Sequence, residues 1–105
     1  MEGCDSMSKI KSASIDRLFQ VILQLESLDE CYRFFEDICT VKELQDLAQR
    51  LDVAVMLGEG KKYQEIAKAV GASTSTISRV NKCFLYGDGG YRRALQKLFP
   101  PEEQA

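Results

Sequence analysis

The chain has 105 residues, 45% apolar and 29% charged, the composition of an ordinary soluble globular protein and the length of one domain rather than two. No apolar run approaches the roughly 20 residues that a bilayer needs, and the N-terminus lacks a signal-peptide pattern, so a cytoplasmic protein is expected. The net charge of −2 looks wrong for a nucleic-acid partner until it is divided along the chain: residues 1–60 carry −6, residues 61–99 carry +6, and Glu102 and Glu103 supply the rest.

Residues 1–8 lack periodicity and read as a frayed, disordered N-terminus, with Met7 as an alternative start. One domain is expected over 9–99, with 100–105 as a tail. A first helix is predicted from about Lys9 to Glu26, because Ile15, Leu18, Phe19, Ile22 and Leu25 recur at helical spacing. Val21 and Leu23 widen that face beyond what one small monomer covers, which hints at a partner chain.

Ser27-Leu28-Asp29-Glu30 has the form of a capping box, in which the Ser hydroxyl and the Glu carboxylate satisfy each other's free backbone amides. It opens a helix to about Ile38 with Cys31, Tyr32, Phe34, Phe35 and Ile38 as its apolar residues. Thr40-Val41-Lys42-Glu43 is a second box, with Cys39 and Leu44 placed as a hydrophobic staple. Its helix carries Leu44, Leu47, Ala48, Leu51, Ala54, Val55 and Leu57 and stops at Gly58-Glu59-Gly60.

Residues 63–80 then read as a helix-turn-helix. Ile66, Ala67 and Val70 give a short helix an apolar face, and Ala67 is small enough for a second helix to cross close by. Gly71 stands where a helix ends most cheaply in a left-handed conformation. Ser73 can cap the next helix through its hydroxyl. Ile77 and Val80 return to the core, while Thr74, Ser75, Ser78, Arg79 and Lys82 remain for the outer face. A tight turn followed by a helix presenting short polar and basic side chains is the device that enters a major groove. Tyr86 to Gly90 reads as a loop, and Tyr91 to Phe99 as a last helix with Ala94, Leu95, Leu98 and Phe99 on its apolar side. Pro100-Pro101 ends it. Six helices and no strand make an all-α chain.

The four cysteines, Cys4, Cys31, Cys39 and Cys83, show no C-x-x-C spacing, and histidine is absent, so no metal site is expected. Cys31 and Cys39 fall among apolar residues as small core hydrophobes. The missing histidine also removes the commonest general base near neutral pH. With no phosphate loop or nucleophile elbow either, no enzyme activity is expected. The basic half coincides with the helix pair instead, and phosphate binding depends on local field because charges beyond about 10 Å are screened at 0.1 M salt.

The order of elements resembles the Trp repressor family, and within it the TrpR-related YerC/YecD group of bacterial proteins. The residues that carry the resemblance are Ile38-Cys39-Thr40-Val41-Lys42-Glu43-Leu44, Leu47-Ala48-Gln49-Arg50-Leu51, Leu57-Gly58-Glu59-Gly60, Tyr63-Gln64-Glu65-Ile66, and the run from Gly71 to Asn81. It implies an intertwined homodimer and a cytoplasmic, nucleoid-associated regulator acting on double-stranded DNA, and with the motif and the charge split a repressor that occupies promoter DNA is expected. Its base contacts fall on Thr74, Ser75 and Ser78, next to Ser73 and Arg79, with Lys68 and Lys82 near the phosphates. The repressor's co-repressor is held by groups corresponding to Arg50, Thr76 and Arg79. This chain departs where the repressor has a glycine beside the indole, here Val80, and a serine near the amino group, here Cys83. A valine there overpacks by about 1–3 kcal/mol, roughly tenfold or more in affinity, so tryptophan is not expected as effector. The rival expectation is a helical adaptor that docks a replication or transcription protein.

Overall fold

The computed structural model describes residues 10–99. Six α-helices follow one another: α1 (Ala13–Gln24), α2 (Leu28–Ile38), α3 (Val41–Gly58), α4 (Tyr63–Val70), α5 (Thr74–Tyr86) and α6 (Gly90–Leu98). No strand occurs among the described residues, and the all-α expectation holds. The frayed N-terminus and the Pro100-Pro101 stop lie outside the described residues. The chain divides within α3 into two compact units, whose described parts are residues 10–47 and 48–99.

In the first unit the ends of the helices are set by side-chain caps. Ser12 is extended (φ −159°), and its Oγ accepts the Ile15 N–H at 3.1 Å. That cap starts α1 at Ala13, later than the apolar spacing suggested. The exit is early as well. Leu25 is extended, and a Glu30 carboxylate oxygen accepts the N–H of Glu26 at 2.8 Å, which holds the connection out of helical geometry. Ser27 Oγ accepts from Glu30 N–H at 3.1 Å. The box at Ser27 is therefore displaced, its carboxylate serving the residue before the cap. At Thr40 the box is reciprocal: Thr40 Oγ1 accepts from Glu43 N–H at 3.0 Å, and Glu43 accepts from Thr40 N–H at 2.9 Å. Such caps contribute about 1 kcal/mol each.

No residue of α1 or α2 is buried. Leu23 is 79% exposed, Val41 73% and Tyr32 61%. Cys31 and Cys39 are half-buried. The ion pairs Lys11–Asp16, Arg33–Asp29 and Lys42–Asp46 are all on this unit's surface, where each contributes 1 kcal/mol or less, roughly.

The second unit has the closed core. Val53 and Ala54 of α3, Ile66 of α4, Ala72 of the turn, and Ile77 and Val80 of α5 are buried. Met56, Leu57, Tyr63, Ala67, Val70, Phe84, Tyr91 and Leu95 pack around them. Burying a side chain such as Ile66 or Ile77 stabilises by about 1.5–3 kcal/mol. Polar contacts then fix the helices. Gln49 Nε2 donates to the Val70 carbonyl at 3.3 Å, tying α3 to the end of α4. Asn81 Nδ2 donates to the Tyr63 hydroxyl at 3.0 Å, tying α5 to α4. Arg92 Nε donates to the Phe84 carbonyl at 3.0 Å, with its guanidinium 5.0 Å from the Phe84 ring centroid, tying α6 to α5.

The turn between α4 and α5 follows from three residues. Glu65 accepts the Lys62 N–H at 2.8 Å and so starts α4. Gly71 ends it at φ +71°, donating to the Ala67 carbonyl at 2.9 Å. Ser73 then caps α5 through Thr76 N–H at 3.1 Å. The helix α5 continues through Tyr86, into the predicted loop, and ends on Gly87, while α6 begins one residue early at Gly90.

Candidate nucleic-acid interface

The α5 helix has 13 residues and so spans about 20 Å. Its buried residues, Ile77 and Val80, pack inward with half-buried Asn81 and Phe84 beside them. The opposite side consists of Thr74, Ser75, Ser78, Arg79 and Lys82, all exposed. Their spacing of i, i+1, i+4, i+5 and i+8 is that of one helical face. Lys68 is exposed in the last turn of α4. Ser73 is exposed too, but its hydroxyl is engaged: it accepts from Thr76 N–H and donates to Thr76 Oγ1 at 3.1 Å. Ser73 is a cap first. All seven residues expected at DNA sit in the 48–99 unit, and that unit's stretch from 61 to 99 holds only two acidic residues, Glu65 and Asp88.

The residues considered for an effector divide into two groups. Val80 is a core residue at 3% exposure, and Thr76 is half-buried on the cap of α5. Arg50 and Arg79 are exposed, Cys83 is half-buried, and all three act electrostatically on Tyr91 of α6, a residue that the sequence did not single out. Burial pushes the Tyr91 hydroxyl above its ordinary range and the Cys83 thiol adds to that rise, while Arg50 and Arg79 oppose it. Tyr91 was legible in principle, because it stands four residues before Leu95 and so shares its helical face. A groove of about 500 Å³ opens elsewhere in the unit, on Val55, Phe84, Leu95, Phe99 and Arg92; none of the five effector candidates lines it.

The Trp repressor protein family matches residues 13–99. The chain belongs to this family. Protein YerC of Bacillus subtilis (strain 168) is 48% identical over 99 residues, covering 94% of this chain and 95% of its own. Among solved structures, a TrpR-like protein from Eubacterium eligens ATCC 27750 is 50% identical with a TM-score of 0.83, covering 87% of this chain and 94% of the other. A Trp repressor candidate from Staphylococcus aureus is 45% identical with a TM-score of 0.85, covering 90% and 94%. The Trp repressor family is one of DNA-binding regulators, not of enzymes. In this member no cluster of His, Cys, Asp and Glu able to hold a metal ion occurs among the described residues, and no described helix is long and apolar enough to cross a membrane.

Proposed function

We propose that the chain is a homodimeric, sequence-specific transcriptional regulator of the bacterial cytoplasm that represses by occupying promoter DNA, with the α4–turn–α5 segment as its helix-turn-helix. The observation that carries this is the exposed face of α5, which offers hydroxyls and cations with no apolar residue between Thr74 and Lys82. Thr74, Ser75 and Ser78 reach base edges or bound water, and Arg79, Lys68 and Lys82 neutralise phosphates. Ser73 holds the helix end that approaches the DNA. A second copy is supported by the first unit, in which no residue of α1 or α2 is fully buried and Phe19, Val21, Leu23, Leu28, Tyr32 and Ile38 stay exposed. Two recognition helices in one dimer read half-sites about one helical turn apart.

Tryptophan is not the effector in this reading, because Val80 is part of the core and fills the space beside α5. A fluorescence titration of the full chain against genomic DNA fragments tests the proposal. With about three phosphate contacts per subunit, log affinity falls with log salt at a slope of about −5. Ser75→Glu abolishes that binding if α5 lies in the groove, whereas a protein-docking adaptor tolerates the added charge. Fragment binding no tighter than to random DNA at every salt concentration sinks the proposal.

A further inference from the structure

The helices α4 and α5 form two arms that meet at Gly71-Ala72-Ser73. Tyr63 is the first of the eight residues of α4 and Asn81 is the eighth residue of α5, so each arm is about 12 Å long. At the vertex the chain is fixed by the left-handed Gly71 and the Ser73 cap. Along the arms the helices meet through Ile66, Ala67, Ile77 and Val80, and apolar burial has no direction of its own. At the open end a directional contact joins them: Asn81 Nδ2 donates to the Tyr63 hydroxyl at 3.0 Å. Both residues are half-buried and lie on the inner faces, Tyr63 one turn before Ile66 and Ala67, Asn81 one turn after Ile77. The Tyr63 ring packs against the core, which holds its hydroxyl in place.

We propose that the Tyr63–Asn81 hydrogen bond is a brace that sets the angle between α4 and α5, and that Tyr63 and Asn81 are thereby positioning residues for DNA reading although neither belongs to the exposed row. The length of the arms gives the scale. A pivot of about 10° at the vertex moves Asn81 by about 2 Å, which takes a 3.0 Å bond out of hydrogen-bonding range. Lys82, adjacent to Asn81, swings with it, while Lys68 stays with α4. A binding surface spread over two helices works only when its parts are held to within about 0.5 Å, the task of hydrogen bonds behind the contacting residues. The consequence for DNA rests on the function proposed above; the brace itself does not.

Two measurements on the full chain test it. The first reads the angle without DNA, from backbone N–H residual dipolar couplings of α4 and α5. In the wild type one alignment tensor fits both helices. Tyr63→Phe removes only the hydroxyl and keeps the ring in the core; the two helices then require separate tensors, and the Asn81 side-chain amide resonances shift. Asn81→Asp restores the link with donor and acceptor exchanged, the phenol O–H donating to the carboxylate, and keeps the wild-type couplings. The second measures affinity for a genomic fragment retained by the wild-type protein, with each variant folded by circular dichroism. Tyr63→Phe and Asn81→Leu each bind roughly three- to tenfold more weakly, the worth of one hydrogen bond. The double variant loses no more than either single one, because both remove the same bond. Should Asn81→Leu not fold, Asn81→Ala takes its place. Couplings in Tyr63→Phe that still fit one tensor overturn the proposal. So does wild-type affinity in Tyr63→Phe, and so do losses that add in the double variant. If the wild type itself retains no fragment, the DNA-binding reading falls and the couplings alone decide the brace.

Discussion

The two units of this chain use similar apolar content in opposite ways. Residues 48–99 close a core around Ile66, Ile77 and Val53, each fully buried. Residues 10–47 have Phe19, Val21, Leu23, Leu28, Tyr32 and Ile38 and leave all of them exposed. Apolar residues at helical spacing are thus no guarantee of an interior. What separates the units is the geometry of the connections: the left-handed Gly71 and the Ser73 cap fold α4 and α5 onto each other, whereas α1 and α2 are joined through an extended Leu25 and an extended Ser27. The first unit carries the apolar surface proposed for association; the second carries the surface proposed for DNA.

The largest expected effect breaks the closed side of that contrast. Ile66→Ala removes a fully buried side chain and costs about 2–5 kcal/mol, read from the urea midpoint of the full chain. A cost below 1 kcal/mol would mean that the core is looser than its burial implies. Next comes Leu23→Asp. A side chain 79% exposed in a lone chain costs about 0.5 kcal/mol or less when replaced, but at the centre of a dimer interface it costs about 2 kcal/mol or more. Light scattering across a dilution series separates the two, and an undisturbed dimer would remove α1 from the interface.

Gly71→Ala is smaller and probes the turn. A Cβ at Gly71 meets nothing within 4 Å, so the cost is conformational alone, about 1 kcal/mol for a left-handed residue. The same change at Gly58, whose φ is not left-handed, serves as the reference in the same unfolding assay. The smallest effect is alkaline. The Tyr91 pKa is raised in the folded chain by burial and by Cys83, against Arg50 and Arg79. The folded state therefore holds its proton longer than the unfolded one. The associated stability is complete below the ordinary tyrosine pKa near 10 and is lost as pH rises through the folded value. Tyr91→Phe removes that part of the decline in thermal midpoint above pH 10, and identical alkaline slopes would show Tyr91 to be unperturbed.

Most of the local structure was written in local chemistry. Gly71, the Thr40 box and the Ser73 cap each involve residues at most four apart, so their spacing in sequence is their spacing in space. The inward turn of Ile66, Ile77 and Val80 follows from helical periodicity, as does the outward row from Thr74 to Lys82. Where several short-range partners compete, sequence is less decisive. Glu30 could serve Ser27 or Glu26 and serves Glu26, and Ser12 takes the start of α1 from Lys9. The Glu65 carboxylate that begins α4 went unread because Lys62 offers no hydroxyl to complete the familiar pattern.

Six helices, the turn at Gly71–Ser73, the exposed row on α5 and the segregation of positive charge beside it are all readable along the chain. Local hydrogen bonds and periodic burial set all of these within a few residues. That no residue of α1 or α2 is fully buried, that Ala72 joins the core, and that Tyr91 of α6 packs against it follow instead from packing between helices. Those outcomes depend on which faces of distant helices meet. Helical spacing fixes a residue's direction on its own helix and leaves its partner across the chain open.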